Sequence, residues 1–87
     1  MRIKEGFKMR PLLREHIVMA EGNVDFNKMI SLNSTAAYLW DRVKGTDFDE
    51  SRLVDILLEE YEVDRDVAER DVSGFVSSLS DAGLLEI

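Results

Sequence analysis

Few side chains in this 87-residue chain could carry covalent chemistry, and they are scattered. There is no cysteine and a single histidine, His16. That excludes a thiol nucleophile, a disulfide framework and a thiolate metal site, and a lone histidine in a strand reads as a rim residue rather than a ligand. Carboxylates are plentiful, but Asp47, Asp49, Glu50, Asp64 and Asp66 fall at expected helix starts. There they complement the helix dipole instead of pairing as general acid and base. The cluster Asp64, Asp66, Glu69 and Asp71 lacks the glycine turn and the twelve-residue spacing of a calcium loop. Gly22, Gly45 and Gly83 read as stops, and no glycine-rich phosphate loop is present. No catalytic residue, metal ligand or cofactor site is therefore expected, and an enzyme is the least favoured class.

Recognition by surface complementarity remains, and two segments are suited to it. Asn27, Lys28, Met29, Ile30 and Ser31 form an alternating run whose only edge protection is Lys28, so it could accept an extended peptide as an added strand. In the last helical segment Val67, Asp71, Gly74 and Ser78 follow i, i+4, i+7, i+11 and share one flank beside the apolar stripe. Gly in a helix interior costs roughly 1 kcal/mol relative to Ala, so Gly74 needs a compensating reason. Either another chain approaches closely there, or a neighbouring element of the same domain does; the sequence leaves both open. If that helix lies beside the strand edge, its Gly74 and Ser78 flank forms the second wall of a groove. Tyr38 and Met29 fall off the main apolar faces of their elements and could also line a binding surface. Trp40, Phe75 and Tyr61 sit at helical spacing with other apolar residues and read as core.

These candidates need a scaffold, and the hydrophobic period supplies one. Residues 7–32 alternate with a period of two, whereas from Asn33 onward apolar residues recur every three or four positions. The spacing predicts strands over residues 7–10, 16–20 and 27–32, with a hairpin at Glu21, Gly22 and Asn23. Pro11 and the basic side chains mark the first of these as a short edge strand. Asn33 or Ser34 caps a helix burying Ala36, Leu39, Trp40 and Val43 and stopped by Gly45. Asp47 with Glu50 begins a second, burying Leu53, Ile56, Leu57 and Tyr61. A third starts near residues 64–66, turns Ala68, Val72, Phe75, Val76, Leu79 and Ala82 inward, and ends at Gly83 with Leu84 folding back. Residues 84–87 read as a short terminal extension. The fold class is α+β: a three-stranded antiparallel meander followed by a three-helix bundle, winged-helix-like, in a single domain over residues 1–87.

Composition limits the partners. The net charge is −7, which repels the phosphate backbone that supplies most non-specific nucleic-acid affinity. Residues 1–14 hold five basic side chains against Glu5 alone, a net of +4, while the rest of the chain carries −11. No apolar run approaches the roughly 20 residues of a membrane span, and the start lacks a signal peptide's apolar segment, so a cytoplasmic protein is expected.

The run Met29-Ile30-Ser31-Leu32-Asn33-Ser34-Thr35-Ala36-Ala37-Tyr38-Leu39-Trp40 is followed by an acidic helix ending Leu57-Leu58-Glu59-Glu60-Tyr61. With the closing Leu79-Ser80-Asp81-Ala82-Gly83-Leu84-Leu85, it resembles the PqqD family over nearly the whole chain, residues 7–85. The resemblance implies a non-catalytic domain that binds the leader of a ribosomally made, post-translationally modified peptide and presents it to a modifying enzyme, often a radical-SAM maturase. It also implies that the leader adds to the third strand and packs on the third helix, which points to Asn27, Lys28, Met29, Ile30, Ser31, Val67, Asp71, Gly74 and Ser78. Two other classes compete. A winged-helix nucleic-acid binder is opposed by the third helix, where Arg65 and Arg70 face five acids over residues 64–82. An obligate homodimer that pairs its third strands would be a scaffold alone.

Overall fold

The computed structural model describes residues 1–12, 15–20 and 30–86. Strand β1 (Arg2–Ile3) precedes β2 (Phe7–Leu12), β3 (Glu15–Ala20) and β4 (Ile30–Leu32). Helices α1 (Ser34–Val43), α2 (Glu50–Glu60) and α3 (Arg65–Asp81) follow, and β5 (Leu85–Glu86) closes the chain. The expected hairpin at Glu21, Gly22 and Asn23 lies outside the described residues, as do Asn27, Lys28 and Met29.

The alternating half folds as the meander β2-β3-β4, antiparallel throughout. Its register sets Met9, Val18 and Ile30 in one row and Pro11, His16 and Leu32 in another. Val18 and Leu32 are buried in the core from this face. Pro11 sits inside an edge strand, where its missing N–H is tolerated. The three strands and three helices make the expected α+β fold.

Each helix begins and ends for a local reason. Asn33 caps α1, its Oδ1 accepting from the Ala36 N–H at 2.8 Å. Asp49 caps α2, with Oδ1 accepting from the Arg52 N–H at 2.7 Å. The expected capping pair at Asp47 is thus displaced by two residues, and Asp47 lies beside Arg2 instead, 3.5 Å from Nε. At the end of α3 the Gly83 N–H reaches Ser80 O at 3.0 Å and the Leu84 N–H reaches Leu79 O at 2.8 Å. Gly83 at φ +74° supplies the left-handed residue this double closure needs. Leu84 then turns inward and is buried.

The core joins Val18 and Leu32 of the sheet to Leu39, Trp40 and Val43 of α1, Leu53, Ile56 and Leu57 of α2, and Ala68, Val72, Phe75 and Leu79 of α3. Three expectations shift by a fraction of a helical turn. Ala37 is buried and Ala36 only half-buried; Val54 joins the α2 stripe while Tyr61 stays half-buried; Val76 is half-buried and Ala82, already the C-cap, is exposed. Each lies at the border of an apolar stripe, where the neighbouring element decides burial.

The ends of the chain contribute an element the period could not reveal. β1 pairs antiparallel with β5, Arg2 opposite Glu86 and Ile3 opposite Leu85. Ile3 is 2% exposed and belongs to the core. The Met1 ammonium donates to Phe48 O at 2.8 Å, and the Phe48 N–H donates to Met1 O at the same distance.

Gly83→Ala puts a Cβ on a left-handed residue and is expected to cost about 1 kcal/mol. Thermal unfolding should fall by roughly 4–8 °C for a chain of this size.

Candidate functional site

The sheet has two edges. β2 forms one; β4 forms the other and, among the described residues, pairs with no strand but β3. β4 packs on β3 and α1, and α3 packs on α2 and α1. Between β4 and α3 a groove of about 240 Å³ opens. Ser31 and Leu32 form its strand wall, Arg70, Asp71, Gly74, Phe75 and Ser78 its helix wall, and Asn33, Thr35 and Ala36 its end at the start of α1.

The local sequence explains the groove's shape. On the helix wall Phe75 is buried, while Asp71, Gly74 and Ser78 are exposed beside it. A Cβ built on Gly74 would meet nothing within 4 Å. Among the described residues no neighbouring element approaches Gly74, and the glycine borders open space. Its helix-propensity cost is not compensated within the described domain. Leu32 is buried under the groove and Ser31 exposed at its lip, as the alternation of β4 requires.

Of the residues expected to form the site, Ser31, Asp71, Gly74 and Ser78 come together in this groove. Ile30 is half-buried on the core face, and Val67 lies on the same helix flank but 38% exposed and beyond the groove lining. Asn27, Lys28 and Met29 lie outside the described residues. Six further lining residues lie outside the site that the pattern predicts: Leu32, Asn33, Thr35, Ala36, Arg70 and Phe75. Asn33 and Phe75 carry structural roles that mask this second one. Arg70 and the polar first turn of α1 become neighbours only through the packing of α1 on α3.

The groove holds hydrogen-bonding groups along a strand edge, one cation and one anion adjacent on the helix, and an apolar floor. This suits an extended backbone better than a reacting small molecule. Among the described residues no three His, Asp or Glu side chains converge as metal ligands. His16 is half-buried on the core face of β3, and its Nδ1 finds no hydrogen-bond partner among the described residues. Tyr38 donates to Glu60 Oε2 at 3.4 Å, accepts from Arg42 Nη1 at 2.7 Å and stands edge-on to Tyr61, so it is held on the α1–α2 side. Among the described residues no helix is long and apolar enough to cross a membrane.

An open strand edge facing a helix across a groove defines a small α+β domain built to hold something against its sheet. Residues 15–85 match the family model described as coenzyme PQQ synthesis protein D, and the chain belongs to this PqqD family. The structure of TbiB1 in complex with the TbiA(beta) leader peptide is similar in fold. Its TM-score is 0.73 at 23% identity, over 99% of this chain and 95% of that one. A lasso peptide synthetase B1 complexed with the leader peptide is similar at a TM-score of 0.67 and 25% identity, over 95% of this chain and 93% of the other. No curated protein sequence matches.

Gly74→Ala adds a methyl to open space and removes the helix penalty, so it is expected to stabilise the free domain by about 0.5–1 kcal/mol. Chemical denaturation should show a higher midpoint with an unchanged slope.

Proposed function

We propose that this chain is a non-catalytic peptide-binding domain of the cytoplasm, which captures the leader segment of a precursor peptide and presents it to a modifying enzyme. The leader adds as a strand to the free edge of β4 and lies in the groove against α3. Backbone bonds to the strand edge supply affinity, and the groove walls select side chains. The observation that carries this reading is Gly74: an exposed glycine inside a helix, with open space where its side chain would be, opposite an edge that no described strand covers. Membership of the PqqD family supports it, and so do the leader peptides bound by both structural neighbours. Ser31, Asp71, Gly74 and Ser78 line the bound segment, Ile30 belongs to the same strand and Val67 continues the helix flank; Asn27, Lys28 and Met29, outside the described residues, complete the site as the sequence reads it.

The acidity of α3 opposes the nucleic-acid alternative, because a helix with Arg65 and Arg70 against Asp66, Glu69, Asp71 and Asp81 repels a phosphate backbone. Pairing of β4 between two copies would place the same edge in a scaffold, and the two readings differ in concentration dependence.

The test is an amide NMR titration of the labelled chain with the leader half of a precursor peptide encoded beside its gene. Shifts are expected at Ser31, Leu32 and Asn33 and at residues 70–78. Gly74→Leu, which introduces a helix-favouring residue but fills the groove, should abolish them while the spectrum stays folded. A titration that leaves these amides unmoved, with sedimentation giving a stable dimer at low micromolar concentration, would replace peptide capture by the scaffold.

A further inference from the structure

The groove beside β4 holds two charges that the fold leaves unmatched. Helix α3 carries two arginines. Arg65 is engaged within the domain, with Asp55 at 4.0 Å and Glu69 at 3.8 Å. Arg70 is exposed, lines the groove and forms no ion pair among the described residues. Asp66 stands four residues before it, the acid-first spacing that favours an ion pair along a helix, yet that pair is not formed. Asp71, next to Arg70 in the lining, is exposed and forms none either.

The rest of the lining decides how much these charges matter. Leu32 and Phe75, its apolar floor, are only 2% and 3% exposed, so a bulky apolar side chain entering the groove finds little apolar surface to cover. The groups it would cover are polar: Ser31 and Ser78 at the lips and the adjacent Arg70 and Asp71 on the helix wall. A strand added to β4 displaces water from all four. A charge that loses water without gaining a partner costs far more than a hydroxyl in the same position. A segment that seats well therefore brings opposite charges of its own.

We propose that Arg70 and Asp71 determine the specificity of the groove, Arg70 taking a carboxylate of the captured segment and Asp71 a lysine or arginine. The inference rests on the function proposed above and names the kind of peptide that it selects. Side chains on one face of an added strand recur every second residue, about 7 Å apart. Because Arg70 and Asp71 are consecutive on the helix, the carboxylate and the cation that meet them stand two residues apart in the segment. The two lining charges cancel, so the groove reads the arrangement of charges along one face of the peptide and is indifferent to the peptide's net charge.

The test is a double-mutant cycle on the labelled full chain with the leader half of the precursor peptide encoded beside its gene, read by amide shifts. Arg70→Gln is expected to weaken binding by roughly three- to tenfold, and Asp71→Asn by a similar factor. Both positions are exposed on α3, where such changes leave the fold intact. The peptide side of the cycle separates a direct contact from a structural effect. Against a leader whose carboxylates are replaced by amides, the native chain and Arg70→Gln should bind equally. Against one whose lysines and arginines are replaced by glutamine, the native chain and Asp71→Asn should do so. Binding of the unaltered leader should weaken as salt rises. Leader binding that ignores both substitutions, or losses that persist against the neutralised leaders, overturns the charge reading and leaves peptide capture standing. So does a leader that binds without a carboxylate and a cation two residues apart. A leader that moves no amide at residues 31–33 or 70–78 removes peptide capture and this inference together.

Discussion

The distance between β4 and α3 is fixed by α1, and everything the groove can do depends on that distance. α1 begins two residues after β4 ends, and it packs against β3, β4, α2 and α3. Its Leu39 and Trp40 are 0% and 1% exposed, and removing an aromatic residue so buried costs about 3–5 kcal/mol in other proteins. Such packing leaves little freedom for the strand to close on the helix. The groove is therefore a consequence of the core: the sheet rests on α1, α3 rests on α1 and α2, and the space between is bordered by small or polar residues.

The two edges of the sheet are treated differently by the sequence. β2 carries Lys8, Arg10 and Pro11, three devices that discourage uncontrolled pairing. The described part of β4 is three residues long, neutral, and followed at once by the Asn33 cap. One edge is guarded by charge and proline, and the other faces a helix across a groove. The helix wall bears a cost as well, since Gly74 lowers the stability of α3 with no contact among the described residues to offset it.

Much of this was legible in the residues because the signals are local. Asn33, Gly83 and Leu84 stand at helix boundaries for reasons of hydrogen bonding and backbone angle, and the apolar stripes follow the helical period. The sequence points to Asp47 for the capping of α2 because two aspartates, Asp47 and Asp49, precede the same helix with similar chemistry; the ion pair with Arg2 that occupies the first is non-local. β1 and β5 leave no pattern in the sequence, since two residues cannot display a period. The helix flank of the site was legible from spacing, whereas Thr35, Ala36 and Arg70 entered it only through the packing of separate elements. Gly74 marks the limit most clearly: its oddity is written in the sequence, but the open space beside it is not.

The β1–β5 pair has a further consequence for how such a domain can be carried. Residues 2 and 86 stand opposite each other in register, so polypeptide arriving at one and leaving from the other would do so through the same small area of surface. A unit with adjacent entry and exit can be spliced into a loop of a larger protein, or joined at either end, with little strain on its interior. The geometry that closes this fold thus also makes it modular.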